Sequence, residues 1–393
     1  MSNILKENKK SMKEYKNERQ SNFELLRIIA MIMIVAHHLT IHCFAVQLGD
    51  KSLYALGESF NKAIFFKKLL LPQLFMTGGK IANIIFVLIT GYFLIDRKIN
   101  ITKQIKKIFS QLAFVVPIIV FVSFLFYRYH SNTFIGIQNF NILNSDYWFI
   151  GYYIGIISIA YIFLNKFLNK LKKKEYDILL AIMFSILSIA FLRNSISDIS
   201  PNILTLFVGI FIYSLGGYIR LYSPFKNIRT IILFFIIIIS IIALCINNYN
   251  NTLVNINIAQ SNNMQGIYQS LIGYSEYSIF CLLIGISTFE IFRRIKMKNI
   301  RIINYISSST FMIYLLHDND FFRNVWRETN WIEVYYNNSV KFIFLYLMWL
   351  AIIFGIGILI YTIYYLILKL INTKFVLKTI FYNTAEDLWW CSV

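Results

Sequence analysis

Three of the five histidines of this 393-residue chain fall in one six-residue stretch, His37, His38 and His42. They sit in the apolar run FELLRIIAMIMIVAHHLTIHCF, which also carries Glu24 and Arg27. An imidazole titrates near neutral pH, so it can take a hydroxyl proton or carry an acyl group. A guanidinium offers a planar fork to phosphate or carboxylate. On a helix, eleven positions turn through 1100°, so Arg27 and His38 lie within about 20° of one face and about 16 Å apart. Glu24, one turn before Arg27, shares that face, and His42 lies one turn beyond His38. His37 points about 100° away. Two bland readings stand beside this one: Arg27 and Glu24 as side chains snorkelling to an interface, and His38 as a packed core histidine. His38 and His42 have the i, i+4 spacing of a metal-ligand pair, but no third ligand is near in the sequence, so no metal is expected.

A second polar cluster, His317, Asp318, Asp320 and Arg323, closes the segment IINYISSSTFMIYLLHDNDFFRNVW. It reads either as ordinary surface polarity or, beside Trp326, Arg327 and Trp331, as a mouth whose aromatic faces stack on sugars. A third group, Arg97, Lys98, Lys103, Lys106 and Lys107, reads first as loop charge and second as a basic entrance attracting a phosphorylated donor. Gly78, Gly79 and Gly91, with Asn83 and Thr90, suit close helix packing.

Lipid is the solvent that positions these residues. Hydrophobic residues are 58% of the chain, charged residues 15%, and mean hydropathy is +0.60, whereas soluble domains carry about 25% charge. The expected fold is therefore all-α: a polytopic membrane protein of about ten transmembrane helices. A ~30 Å hydrocarbon core takes about 20 residues of helix. Segments that fit lie near 24–46, 76–96, 105–127, 146–165, 177–193, 202–220, 228–247, 269–292, 302–317 and 339–370. With a cytoplasmic N-terminus and ten spans, 28 of the 38 Lys and Arg fall on the inside, as the positive-inside rule requires. Both termini are thus expected in the cytoplasm, and the net charge of +19 reflects inner loops rather than nucleic-acid binding. The uncharged stretch 246–267 suits an outer loop. The domain reading is a basic, disordered tail over 1–22, a membrane domain over 23–371 and a cytoplasmic tail over 372–393. Cys43, Cys245, Cys281 and Cys391 are too scattered for a zinc site or a disulfide framework. No internal repeat of the transporter kind is visible.

The arginine and histidine with ten residues between them resemble the R-x(10)-H signature of the acyltransferase-3 family of integral membrane O-acyltransferases. Asn83–Leu94 resembles its "FVLSGYFL" segment. Tyr147-Trp148-Phe149-Ile150 resembles its "WFL" helix start, and the stretch from Ser308 through His317 to Asn319 resembles its late "S-x-x-I-Y-L-I-H-D-N" helix. These matches keep the family's order over about residues 20–370. The resemblance implies a ten-helix bundle and an acyl-CoA co-substrate, usually acetyl-CoA, reaching the protein from the cytoplasm. It implies an acceptor hydroxyl on a surface glycan or lipid-linked precursor, and no permanently bound cofactor. By the same resemblance His38 is the general base or transient acyl carrier, and Arg27, backed by Glu24, holds donor phosphate or developing charge. Arg27, Lys106, Lys107 and Trp148 would bind the donor; His317, Asp318 and Arg323 are acceptor-side candidates. Spacing leaves His37 open beside His38.

The leading expectation is an O-acetyltransferase of a cell-surface polysaccharide in a bacterial plasma membrane. Isoleucine-, asparagine- and lysine-rich usage, typical of AT-rich bacterial genomes, supports it. The alternative is a transporter or flippase for a glycan or lipid precursor, which would move its substrate unchanged. Oligomeric state is not legible in the sequence.

Overall fold

A computed structural model of the protein describes residues 19–48, 62–130, 147–193, 201–261 and 278–379. The expected tails fall largely outside these residues, as do Cys391 and positions 262–267 of the expected outer loop.

The described residues are helical, with no strand among them. In chain order the helices are α1 (Ser21–Leu39), α2 (Lys62–Leu94), α3 (Ile101–His130), α4 (Trp148–Ile159), α5 (Lys173–Arg193), α6 (Pro201–Tyr222) and α7 (Thr230–Ser261). There follow α8 (Ile279–Arg294), α9 (Arg301–Ser308), α10 (Thr310–His317), α11 (Asp320–Arg327), α12 (Trp331–Asn337) and α13 (Ser339–Thr379). Among the described residues, seven helices are long and apolar enough to cross a membrane, one of them running on from α4 through a π-helical segment, Ala160–Leu164, to Leu168. They correspond to the expected spans beginning near 24, 76, 105, 146, 202, 228 and 339. Of the other three, 177–193 lies within α5, the described part of 269–292 is α8, and 302–317 is the pair α9 and α10. The chain is an all-α polytopic membrane protein.

α1 and α2 form the centre. α1 lies against α2, α8, α9, α10 and α13, and α2 also packs on α6 and α8. α7 and α13 stand at the rim and expose isoleucine, leucine and phenylalanine, as lipid-facing helices must. Two glycines let backbones meet in this centre. A Cβ on Gly91 would sit 2.1 Å from the Tyr213 carbonyl oxygen, and one on Gly216 only 2.4 Å from that of Leu88.

Two local departures from the α-helix shape the site. α1 continues into a π-helical turn, Thr40–Ala45. There the hydroxyls of Thr40 and of Tyr346 on α13 both reach the Ala36 carbonyl, which also keeps its bond from the Thr40 backbone N–H. The ninth span breaks at Ser309, where the hydroxyls of Ser308, Ser309 and Thr310 each bond a carbonyl of the preceding turn. From Arg301 to His317 this pair rises only about 24 Å, less than a hydrocarbon core. His317, Asp318 and Asn319 are accordingly buried. The segment 246–261, expected as outer loop, instead extends α7 as helix.

Candidate active site

The site has two ends. At the beginning of α1, Glu24 is buried and accepts from Arg27 Nη1 at 2.9 Å and from the Ser307 hydroxyl. Arg19 lies 3.8 Å from the same carboxylate through Nε. Its Nη1 donates to the Asn304 carbonyl at 2.9 Å and to Ser308 Oγ at 2.5 Å. Ser21 Oγ donates to Asn304 Oδ1, and Asn22 to the Phe292 carbonyl. Residues 19–22, grouped with the tail on sequence, are thus fastened to α8 and α9.

Arg19, Arg27 and Lys107 open onto a cavity with about 1240 Å³ of empty space, its mouth included. One carboxylate against three cations leaves this end a surplus of positive charge, suited to an anion. The walls are mostly apolar, with Met31, Phe86, Phe149 and Phe311 beside the hydroxyls of Thr90, Tyr153, Ser307, Ser308 and Thr310, and Ile34 and Tyr314 belong to the floor on the His38 side. Ile34 precedes His38 by one turn, and Tyr314 packs its ring 5.9 Å from that of His317.

Beyond that floor lies the second end, where 279 residues of chain separation collapse to contact. His38 Nδ1 is 2.8 Å from His317 Nε2, and the rings stack with centroids 5.0 Å apart. His317 Nδ1 lies 2.9 Å from the Ile313 carbonyl oxygen, which can only accept. With both rings neutral, this fixes the protons: His317 donates from Nδ1, its Nε2 accepts, and His38 donates from Nδ1. His38 Nε2 therefore keeps its lone pair. Asp318 Oδ2 stands 3.6 Å from His38 Nδ1, and Arg323 Nη2 donates to Asp318 Oδ1 at 2.6 Å. A proton gained at Nε2 would leave an imidazolium beside this carboxylate, the logic of an oriented acid–base triad. His42 Nε2 is 3.7 Å from Asp318 Oδ1.

Several expectations need correction. His317, Asp318 and Arg323 do not form a cluster separate from the first span: His317 and Asp318 contact His38, and Arg323 holds Asp318. Trp326 and Trp331 are fully buried, with Trp331 Nε1 donating to the Trp326 carbonyl at 2.7 Å, so neither can stack on a sugar. Lys106 is exposed, on a face of α3 about 100° from Lys107, and does not line the cavity. Trp148 lies under Lys80, whose Nζ is 5.6 Å from the ring centre; Phe149 and Ile150 form the wall instead. Glu24 touches Arg27 and is remote from His38.

The missing third metal ligand is supplied by folding, since donor atoms of His38, His42 and Asp318 lie within 4.8 Å of one another. Yet Arg323 already holds that carboxylate and His317 holds His38 Nδ1, so the donor set fits imidazole chemistry better than a dication. His37 is engaged elsewhere: its Nδ1 donates to the Met76 carbonyl at 2.5 Å, and its ring fills the space where a Cβ on Gly79 would stand.

A family model described as an acyltransferase domain matches residues 20–368. The chain belongs to the acyltransferase-3 family. No curated protein and no solved structure matches it. As a membrane acyltransferase it needs a donor site and a base within reach of each other, and the cavity and the His38 cluster adjoin. Sequence reasoning missed Arg19, Ser307, Gln104 and Gln111. The two glutamines left a weak signal, as amides seven apart, with Gln111 at the start of the apolar part of its helix. Arg19 and Ser307 left none beyond their residue type.

Proposed function

We propose that this acyltransferase moves an acetyl group from acetyl-CoA to a hydroxyl of a cell-surface polysaccharide or its lipid-linked precursor. The donor would enter from the cytoplasm of a bacterial cell whose plasma membrane holds the protein, with both termini inside. The observation that carries this reading is the bond between His38 and His317, which in the neutral pair leaves the lone pair on His38 Nε2, one helical turn beyond Ile34 of a cavity lined by Arg19, Arg27 and Lys107. Donor phosphates sit against Arg19, Arg27 and Lys107, with Glu24 and Ser307 holding Arg27 in place. The thioester lies at the floor formed by Ile34 and Tyr314.

His38 Nε2 takes the acceptor proton as the hydroxyl oxygen attacks the thioester carbonyl. Asp318 and His317 stabilise the imidazolium, which returns the proton to the departing thiolate as the C–S bond breaks. The same lone pair would serve if the acyl group rested first on the ring. The 28 Lys and Arg on one side of the span pattern support cytoplasmic entry.

Inverted membrane vesicles from cells expressing the protein, supplied with radiolabelled acetyl-CoA, test the reading. Release of coenzyme A thiol with label in the glycan or lipid-linked fraction is expected. Glycan movement without thiol release would favour a transporter.

A further inference from the structure

The cavity holds two buried polar groups that the mechanism does not use. The side-chain amide oxygens of Gln104 and Gln111, both on α3, are buried and have no hydrogen-bond partner among the described residues. Both residues line the cavity, and Gln111 is only 3% exposed. Seven positions turn a helix through 700°, so the two stand on one face about 10 Å apart along the axis. Leaving an amide oxygen buried and unsatisfied costs about 1–3 kcal/mol, and none of the described residues lining the cavity bonds to either one. A leucine or methionine would fill either place at less cost, so the amides speak for a ligand that brings its own polar groups.

That ligand must be slender and partly apolar, anionic at the Arg19 and Arg27 end, and supplied with amide groups along its length. We infer that Gln104 and Gln111 recognise the two amides of a pantetheine arm, and so restrict the donor to thioesters carried on that arm. A glutamine side chain can meet either an N–H or a carbonyl of such an amide. An acyl phosphate or an acyl-prenyl lipid has neither. The inference rests on the donor reading above and adds the residues that would select the donor. Coenzyme A and a phosphopantetheinylated carrier protein share this arm.

The test uses the full chain in lipid nanodiscs, comparing wild type with Gln104→Met and Gln111→Met. Calorimetric titrations use coenzyme A and, separately, a phosphopantetheinylated acyl carrier protein. Thermal unfolding is followed without ligand. Each substitution is expected to weaken binding of the arm roughly 10-fold, with an unfolding temperature equal to or above that of wild type. Whichever titrant shows the loss is the source of the arm. Unchanged affinity in both variants overturns the inference while leaving the donor reading intact. A lower unfolding temperature also overturns it, because the amides are then structural. Wild type that binds neither titrant would remove the donor reading itself.

Discussion

At His38 the chemistry turns on which ring nitrogen keeps its lone pair, and a single carbonyl decides that. Because Ile313 can only accept, two neutral rings order their protons through His317 to His38 and leave the lone pair on His38 Nε2. Asp318 then matters for charge more than for position. Asp318→Asn is expected to lower kcat for acetyl-CoA consumption by ~10²-fold or more while the donor KM changes little. Arg27 acts at the other end, where its fork faces the cavity from a fixed partner. Arg27→Lys is expected to raise the donor KM roughly 10-fold with a smaller change in kcat, because an ammonium cannot reproduce the two-pronged geometry. Steady-state kinetics on the two variants separates the roles. The sequence carried the shared face of Glu24, Arg27 and His38, since helical spacing reports position around and along one helix. It could not carry what stands opposite. Asp318 is remote in the chain, so the third ligand looked absent and the cluster around His317 looked like surface.

Among the elements, the ones that position the site are those whose regularity fails. The π turn after α1 begins at Thr40, where two hydroxyls, from Thr40 and Tyr346, converge on the Ala36 carbonyl, and it holds His42, whose Nε2 is 3.7 Å from Asp318. The break at Ser309 arises in a run of hydroxylated residues, and it belongs to a helix pair that rises only about 24 Å. The hydroxyl run and the short length were both visible in the residues; their consequence for the depth of His317 was not, because depth depends on where neighbouring helices hold the segment. Close packing was better foreshadowed. Gly91 meets the Tyr213 carbonyl, a backbone atom that cannot swing aside. Gly91→Ala is expected to destabilise the protein by about 1–3 kcal/mol. Gly355→Ala, where an added Cβ meets nothing within 4 Å, should be neutral or raise stability by up to about 1 kcal/mol through helix propensity. Thermal unfolding in nanodiscs compares them.

For the whole molecule, lipid explains both the composition and the placement of charge. The buried ionisable groups gather on the inward sides of α1, α8 and the end of α10, while α7 and α13 turn their apolar surfaces outward. That partition was legible from hydropathy, and the lateral order of helices was not, because lipid-facing and helix-facing positions are alike in apolar character. The topology makes its own forecast. In a cysteine-free background, Lys98→Cys should resist a membrane-impermeant maleimide in intact cells, and Glu328→Cys should react. Labelling with the opposite sidedness would invert the bundle and remove cytoplasmic donor entry.

The central claim is that His38, held by His317 and Asp318, performs acyl transfer while His37 is packing. NMR of the O-acetyl signals on surface glycan tests it most directly, in a deletion strain complemented with wild type, His38→Ala or His37→Ala. The expected result is full signal with wild type, none with His38→Ala at equal membrane abundance, and substantial signal with His37→Ala. Equal residual acetylation in the two variants would contradict the account.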